Sequence, residues 1–289
     1  MQALIYRAER ARCRVDRPGP HQIYRRPRLA IESRPLGPLA ADHVRVAVRL
    51  AGVCGSDLHL MQCDPRTGYI VGSVPLEVGP QGRVLGHEAV GEVQAVGADV
   101  AGLSAGAWVA LESLRTCQRC EACRRGLFNQ CGASILVGTQ ADGFFREVVD
   151  VPAQLVHDVS DLAASEDGRR AAACLEPAAC SFGALTRARL APGERVLVFG
   201  AGPIGAIAAL LAAPCSGRRR SAWSNRSPPA ARWCSAGPTA SGPTPTRWPR
   251  RRRSTSSSSV RGRSTTSIAS SSGWRRTRAW CCSPARERR

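Results

Sequence analysis

Cys117, Cys120, Cys123 and Cys131 form a C-x2-C-x2-C-x7-C run, and four thiols so closely spaced have the makings of a closed metal site. Four thiolates at about 2.3 Å in tetrahedral array satisfy Zn2+ completely, so such a site braces a fold and leaves no position for a substrate. A looser set comprises Cys54, the pair His87-Glu88, and Glu176, with Cys174 two residues before it as a rival donor. Thiolate, imidazole and carboxylate can give Zn2+ three ligands and leave its fourth position for water or a substrate oxygen. Spacing alone leaves a plainer alternative open, in which Cys54 is a small buried hydrophobe and His87 a hydrogen-bonded interior residue.

A third feature, Gly200-Ala201-Gly202-Pro203-Ile204-Gly205, has the G-x-G-x-x-G spacing of a dinucleotide-binding turn. Gly200 makes the turn, Gly202 admits the pyrophosphate and Gly205 lets a helix pack close to a sheet, with that helix's N-terminus facing the phosphates.

These residues need elements to hold them. The segment His43 to Leu50 alternates, with Val44, Val46, Val48 and Leu50 predicted on one face of a strand and Arg45 and Arg49 on the other. It runs directly into Gly52-Val53-Cys54-Gly55-Ser56-Asp57-Leu58-His59. Further short strands are expected at Val90 to Val96 and Trp108 to Leu111, giving a β-rich first domain to about residue 170. Beyond Pro192-Gly193 the pattern changes. Arg195 to Phe199 reads as a strand buried on both faces, and a helix is expected from Pro203 through Ile204, Ile207, Leu210 and Leu211, opening a doubly wound domain.

In this order along the chain, Gly52 to His59, Gly86 to Val93, the cysteine run, Glu176-Pro177 and Gly200 to Gly205 resemble the motif series of zinc-dependent medium-chain dehydrogenases. The chain is most similar to the polyol and sugar branch, whose third zinc ligand lies in a Glu-Pro pair. The resemblance implies an α/β plus β fold: a GroES-like β-rich catalytic domain over residues 1–170, then a truncated Rossmann domain starting at 171–214. It also implies Cys54, His87 and Glu176 as ligands of a catalytic zinc, with Glu88 a neighbouring carboxylate that exchanges with them, and the cysteine run as the structural zinc site. Ser56 would pass the substrate hydroxyl proton outward with His59 as a later relay, and Asp57 would orient His87 through its second ring nitrogen. Local turn capping is the other reading of Ser56 and Asp57. NAD or NADP would bind at Gly200, Gly202, Pro203, Ile204 and Gly205, and the full-length enzyme would be a homo-oligomer. The 33-residue step from Cys54 to His87 departs from the usual pattern, and its insert, including Tyr69 to Gly82, is expected to reshape the substrate entrance.

The net charge of +19 belongs to the end of the chain. Residues 1–214 hold 23 Arg against 21 acids, whereas residues 215–289 hold 18 Arg against Glu287 alone, with no Leu, Phe, Tyr or Met. Such a segment cannot build a core and is expected to be a disordered basic tail. The acid that should follow the glycine turn by about 20 residues is missing, since the region reads Ala222-Trp223-Ser224-Asn225-Arg226.

A shift of reading frame accounts for both facts. If each shifted codon takes the last base of one recorded codon and the first two of the next, Arg232 to Ser235 permits Leu or Val, then Val, then Leu. Ala279 to Ser283 permits Val, Val, Leu, Leu, and the junction Ser224-Asn225 permits Glu, Gln or Lys. The shifted reading thus permits buried strands and leaves room for the ribose-binding acid. A competing view takes the Arg- and Ser-rich arm, with its interleaved Trp, as a single-stranded nucleic-acid binder on a zinc-stabilised, non-catalytic scaffold.

The N-terminus lacks an apolar signal core, and no run approaches the roughly 20 apolar residues of a membrane span, so a cytoplasmic protein without membrane contact is expected. The preferred reading is a zinc- and NAD(P)-dependent oxidoreductase taking hydride from a small secondary alcohol: a polyol, sugar, cyclitol or amino alcohol. The 289-residue chain as recorded is expected to have little or no activity.

Overall fold

Alternating valines at the start of β3 (His43–Gly52) put Val44 and Val46 fully inside, as the pattern predicts, but the alternation does not last the length of the strand. A register shift between Val48 and Leu50 against β5 (Glu88–Val96) turns Leu50 out to 38% exposure. A bulge of this kind reverses which side of the sheet the next residue faces, and period-two reading cannot foresee it. The arginines find partners as the strand is built: Arg45 forms a two-pronged ion pair with Asp150, and Arg49 reaches Glu92.

The computed structural model describes residues 1–11, 23–72, 74–194, 196–214, 222–224 and 268–269. They divide into two compact units, one from Met1 to Pro177 and one beginning at Ala178.

The first unit holds a five-stranded antiparallel sheet. Its order is β10 (Val156–Asp158), β6 (Trp108–Leu111), β5, β3, β9 (Val148–Pro152). Val44, Val46, Val93, Val109, Val149, Phe144 and Leu155 close its core, all nearly free of solvent. A second sheet runs β2 (Tyr24–Ser33), β1 (Gln2–Arg10), β4 (Arg83–Val84). Here Tyr6, Tyr24, Leu60, Ile70, Leu76 and Leu85 form their own cluster. Leu60 ends α1 (Gly55–Leu60), and its carbonyl accepts a hydrogen bond from Tyr6 Oη at 2.9 Å, so the helix is nailed at its C-terminal end to β1. Cutting Leu60 to Ala would cost about 2–5 kcal/mol, the range for a wholly buried leucine.

The same cluster fixes the long step between Cys54 and His87. Ile70 and Leu76 are buried, Ile70 N–H donates to the Tyr24 carbonyl, Val78 N–H donates to Tyr24 Oη, and the Arg25 guanidinium lies over the Tyr69 ring. The insert is therefore packed onto the β1–β2 layer by its own apolar residues.

A small lobe carries the cysteine run between β7 (Leu114–Arg115) and β8 (Ile135–Leu136), which pair with each other, with α2 (Glu121–Arg124) inside the loop. α3 (Glu166–Ala173) follows β10, capped by Ser165, whose hydroxyl accepts from Gly168 N–H. α4 (Leu175–Ala188) then carries the chain across the division between the units.

The second unit contains the rest of α4, β11 (Leu197–Phe199), α5 (Pro203–Ala212) and two short strands, β12 (Ala222–Ser224) and β13 (Ile268–Ala269), on either side of β11. Leu185, Val196, Val198 and Ala212 form its core, while Phe182, Phe199 and Leu210 are exposed. β12 and β13 fall within the segment expected to be disordered. They form because an unpaired edge of β11 offers backbone hydrogen bonds to any extended residues, whatever their side chains. The remaining tail positions lie outside the described residues.

Candidate active site

Cys54 and Asp57 are tied together before any metal is considered. Asp57 Oδ2 accepts from Cys54 N–H at 3.0 Å and Asp57 N–H donates to the Cys54 carbonyl at 3.1 Å, a reciprocal cap that starts α1. The other carboxylate oxygen is spare. Asp57 Oδ1 lies 3.7 Å from His87 Nδ1, and both atoms are buried without a hydrogen-bond partner.

His87 is placed by the glycine before it. Gly86 sits at φ +89, a conformation other residues seldom adopt, and a Cβ there would strike the Phe145 ring. Gly138 and Gly143 pack against the Gly86 backbone so closely that neither tolerates a side chain, and Phe144 N–H donates to the Gly86 carbonyl. The imidazole is thereby held on a rigid base at the mouth of β5. Motif spacing does not reveal this backing; the only trace of it is the glycine repeated five residues on.

Cys54, His87 and Glu88 each present a ligand atom, and the three atoms lie within 4.8 Å of one another. His87 Nε2 is 4.0 Å from Glu88 Oε1, so the two ring nitrogens face different carboxylates. Burial pulls the His87 pKa down, but contact with Cys54 and the charges of Asp57, Cys54 and Glu176 outweigh it and push it up to about 9. Burial raises the Asp57 and Glu88 carboxyl pKa values. A buried pocket that pulls a cation onto its histidine from several anionic sides, and leaves donor atoms unpaired, fits a divalent metal. Glu176 lies outside the mutual cluster of three, near enough for its charge to act on His87. Cys174, the rival donor, is exposed.

On α1, Ser56 is half-buried and His59 exposed, three residues apart and so on one side of the helix.

The lobe is tighter. Cys117, Cys120, Cys123 and Cys131 bring their sulfurs within 4.8 Å of one another, all as free thiols. Cys117 Sγ and Cys123 Sγ are 3.9 Å apart, against about 3.8 Å for the edge of a tetrahedron with 2.3 Å zinc–sulfur bonds. Cys120 N–H points at Cys117 Sγ and Cys117 N–H at Cys131 Sγ. Backbone N–H groups of Arg119 and then Cys120 hold the Cys117 thiol down to about 6. Burial, the largest influence on Cys123, pushes that thiol up to about 11. Four converging sulfurs, with N–H donors already aimed at some of them, fit a tetrahedral Zn2+ thiolate site.

In the second unit, Gly202 caps α5 and Pro203 occupies its first turn. Gly200 takes φ +102, and a Cβ on Gly205 would collide with the Gly200 carbonyl, which accounts for glycine at both positions.

The alcohol dehydrogenase GroES-like domain matches residues 40–161, the span that contains the five-stranded sheet, Cys54, His87 and the cysteine lobe. Residues 40–161 form a domain of this family, and the chain is similar to zinc-dependent medium-chain dehydrogenases. Curated relatives include polyol and sugar dehydrogenases. The L-galactonate-5-dehydrogenase of Escherichia coli K12 is 38% identical over 176 residues, 61% of this chain and 47% of that protein. The L-arabinitol 4-dehydrogenase of Aspergillus oryzae is 39% identical over 175 residues, 60% and 42% of the two chains. This chain thus spans about half the length of the curated relatives it matches. Among solved structures, galactitol-1-phosphate dehydrogenase from E. coli superposes with a TM-score of 0.57 at 28% identity, covering 75% of this chain and 54% of that one. Alcohol dehydrogenase TADH from Thermus sp. ATN1 gives 0.57 at 29%, covering 76% and 56%. A chain described as a zinc-binding dehydrogenase from Sinorhizobium meliloti, bound to NADP, gives 0.61 at 26%, covering 71% and 55%. No helix among the described residues is long and apolar enough to cross a membrane.

Proposed function

We propose that this chain derives from a zinc- and NAD(P)-dependent dehydrogenase that takes hydride from a secondary alcohol of the polyol or sugar class. The observation that carries this reading is the convergence of half-buried Cys54 with buried His87 and Glu88 beside Asp57. Cys54 and His87 would hold the catalytic Zn2+ with a carboxylate, either Glu88 from within the cluster or Glu176 from beside it. Cys117, Cys120, Cys123 and Cys131 would hold a structural one. The bound catalytic ion supplies Lewis acidity, which lowers the pKa of an alcohol.

The protein's own residues do the remainder. Asp57 orients the His87 ring through Nδ1. Ser56 Oγ takes the substrate hydroxyl proton, and His59, exposed on the same helix, passes it to solvent. The turn from Gly200 to Gly205, with Pro203 and Ile204 opening α5, cradles the dinucleotide pyrophosphate. Ordered catalysis also needs a full parallel sheet to carry the cofactor. The proposal therefore includes a shifted reading frame after about residue 214 and little or no turnover in the recorded chain. The relatives and structures named above are dehydrogenases, and none is described as a nucleic-acid binder.

Two proteins test this: the recorded chain and one from a gene with the frame restored, each assayed for zinc content and for NAD+ and NADP+ reduction with a panel of polyols and sugar alcohols. The restored protein should turn over and lose activity with Cys54→Ser. Appreciable NAD(P)-dependent turnover by the recorded chain would refute its predicted inactivity. A restored protein whose zinc content is untouched by Cys54→Ser would remove the catalytic site from the reading.

A further inference from the structure

Gly52, at the end of β3, faces Glu88, at the start of β5, as its direct cross-strand partner. The carboxylate of Glu88 lies in the space a side chain on Gly52 would fill. A Cβ built there would stand well inside contact of Glu88 Oε2, and 3.1 and 3.2 Å from Glu88 Cβ and Cδ. Gly52 is not among the positive-φ glycines and is the last residue of β3, paired in register with Glu88 beyond the shift at Val48 and Leu50, so its backbone angle does not ask for glycine. Glycine inside a strand sacrifices about 0.5–1 kcal/mol relative to alanine, so its presence needs another reason.

Glu88 supplies that reason. Its side chain is buried, with Oε1 4.0 Å from His87 Nε2, and it is grouped with Cys54 and His87. A carboxylate in so closed a setting has few places to go. With a methyl group on Gly52 it would have to swing off the line towards His87 or push β3 and β5 apart. We propose that Gly52 is a positioning residue, whose missing side chain makes the slot that directs the Glu88 carboxylate onto the Cys54–His87 pair. The proposal rests on the reading of Cys54, His87 and Glu88 as a metal site.

The test uses the full chain and Co2+ as probe, with Gly52→Ala, Glu88→Ala, the double variant and Cys54→Ser. Binding is followed by competition with a chromophoric chelator and by the visible absorption of bound cobalt. Cys54→Ser should bind one ion fewer than wild type, which identifies the relevant site. Gly52→Ala should weaken cobalt at that site about 10–100-fold and change its absorption bands, as loss of a ligand-orienting partner does. In the Glu88→Ala background the same substitution should change neither by more than about twofold, because the group it collides with is gone.

Equal weakening with and without Glu88 would overturn the proposal, since Gly52 would then act on the strand alone; so would unchanged binding in Gly52→Ala. If Gly52→Ala fails to fold, recovery of folding in the double variant supports the proposal and failure of both defeats it. Wild type and Cys54→Ser binding equal numbers of ions would sink the metal-site reading itself, and this inference with it.

Discussion

Asp57 Oδ1 and His87 Nδ1 lie 3.7 Å apart, both buried and both without a hydrogen-bond partner. The gap is a little too long for a hydrogen bond and too dry for either atom to turn to water. A cation on the opposite ring nitrogen would make Nδ1 the proton-bearing one and draw it onto the carboxylate. Asp57→Asn keeps the shape and removes the charge, so metal affinity at the Cys54 site should fall about 10–100-fold while the fold survives. Asp57→Ala should do more damage, because Cys54 N–H then loses its acceptor at 3.0 Å as well. Isothermal titration with Zn2+ and thermal melts of both variants separate the two effects. Equal melting temperatures for Asn and Ala would show that the cap on α1 contributes nothing.

The cysteine lobe should behave as a separately braced piece. The elements it comprises are two-residue strands, a four-residue helix and a three-residue 3-10 turn at Phe128–Gln130, with Cys123 and Cys131 the buried apolar side chains between residues 117 and 131. So little core cannot hold a loop of this length, and the proposed zinc at the four cysteines would supply the difference. Cys120→Ser, or removal of zinc by a strong chelator, should open the chain between Cys117 and Cys131 to limited proteolysis. The five-stranded sheet should keep its protection. The loss at the lobe should reach about 4–5 kcal/mol or more, the range in which loss of a structural metal falls.

Much of this is legible in the sequence because its signals are local. The C-x2-C-x2-C-x7-C run, the valine alternation of β3 and the turn from Gly200 to Gly205 each write their geometry into adjacent residues. What escapes is set by neighbours distant in sequence. Leu50 faces solvent because of a bulge against β5, and Gly138 and Gly143 back His87 from about fifty residues away. The resemblance implies Glu176 as the third ligand with Glu88 as its neighbour, whereas the folded chain groups Glu88 with Cys54 and His87 and leaves Glu176 outside that cluster. β12 and β13 also escape, since an open strand edge recruits backbone without regard to pattern.

His157 gives a pH test at a side chain that belongs to neither candidate metal cluster. It lies on β10 with Nε2 3.1 Å from Glu112 Oε2, and this hydrogen bond raises its pKa above the ordinary histidine value despite some loss from burial. A raised folded-state pKa means the stabilisation is complete below the unfolded pKa, about 6.5, and is lost as pH climbs through the folded value. Both side chains are more than a third exposed, so screening limits the effect to about half a kcal/mol. Urea midpoints measured from pH 5.5 to 9 should therefore carry a small downward step that His157→Gln abolishes. A step that survives the substitution belongs to another group.

The second unit makes the last prediction. β11 buries Val198 completely, yet Phe199 is 46% exposed and Leu210 on α5 is 72% exposed. An apolar strand and helix with sides left bare are what a doubly wound sheet shows when further strands and helices should cover them. The recorded residues after 214 include one Val and one Ile and no Leu, so they offer little to cover those faces, whereas a shifted frame permits Val and Leu at Arg232 to Ser235 and Ala279 to Ser283. Sequencing the gene across codons 205–230 should reveal a frame that restores those strands together with an acid near Asn225. The protein expressed from the restored frame should bind far less of a hydrophobic dye than the recorded chain and should melt in a sharper transition. Equal dye binding by the two would mean that Phe199 and Leu210 are surface residues by nature and that the recorded frame is the true one.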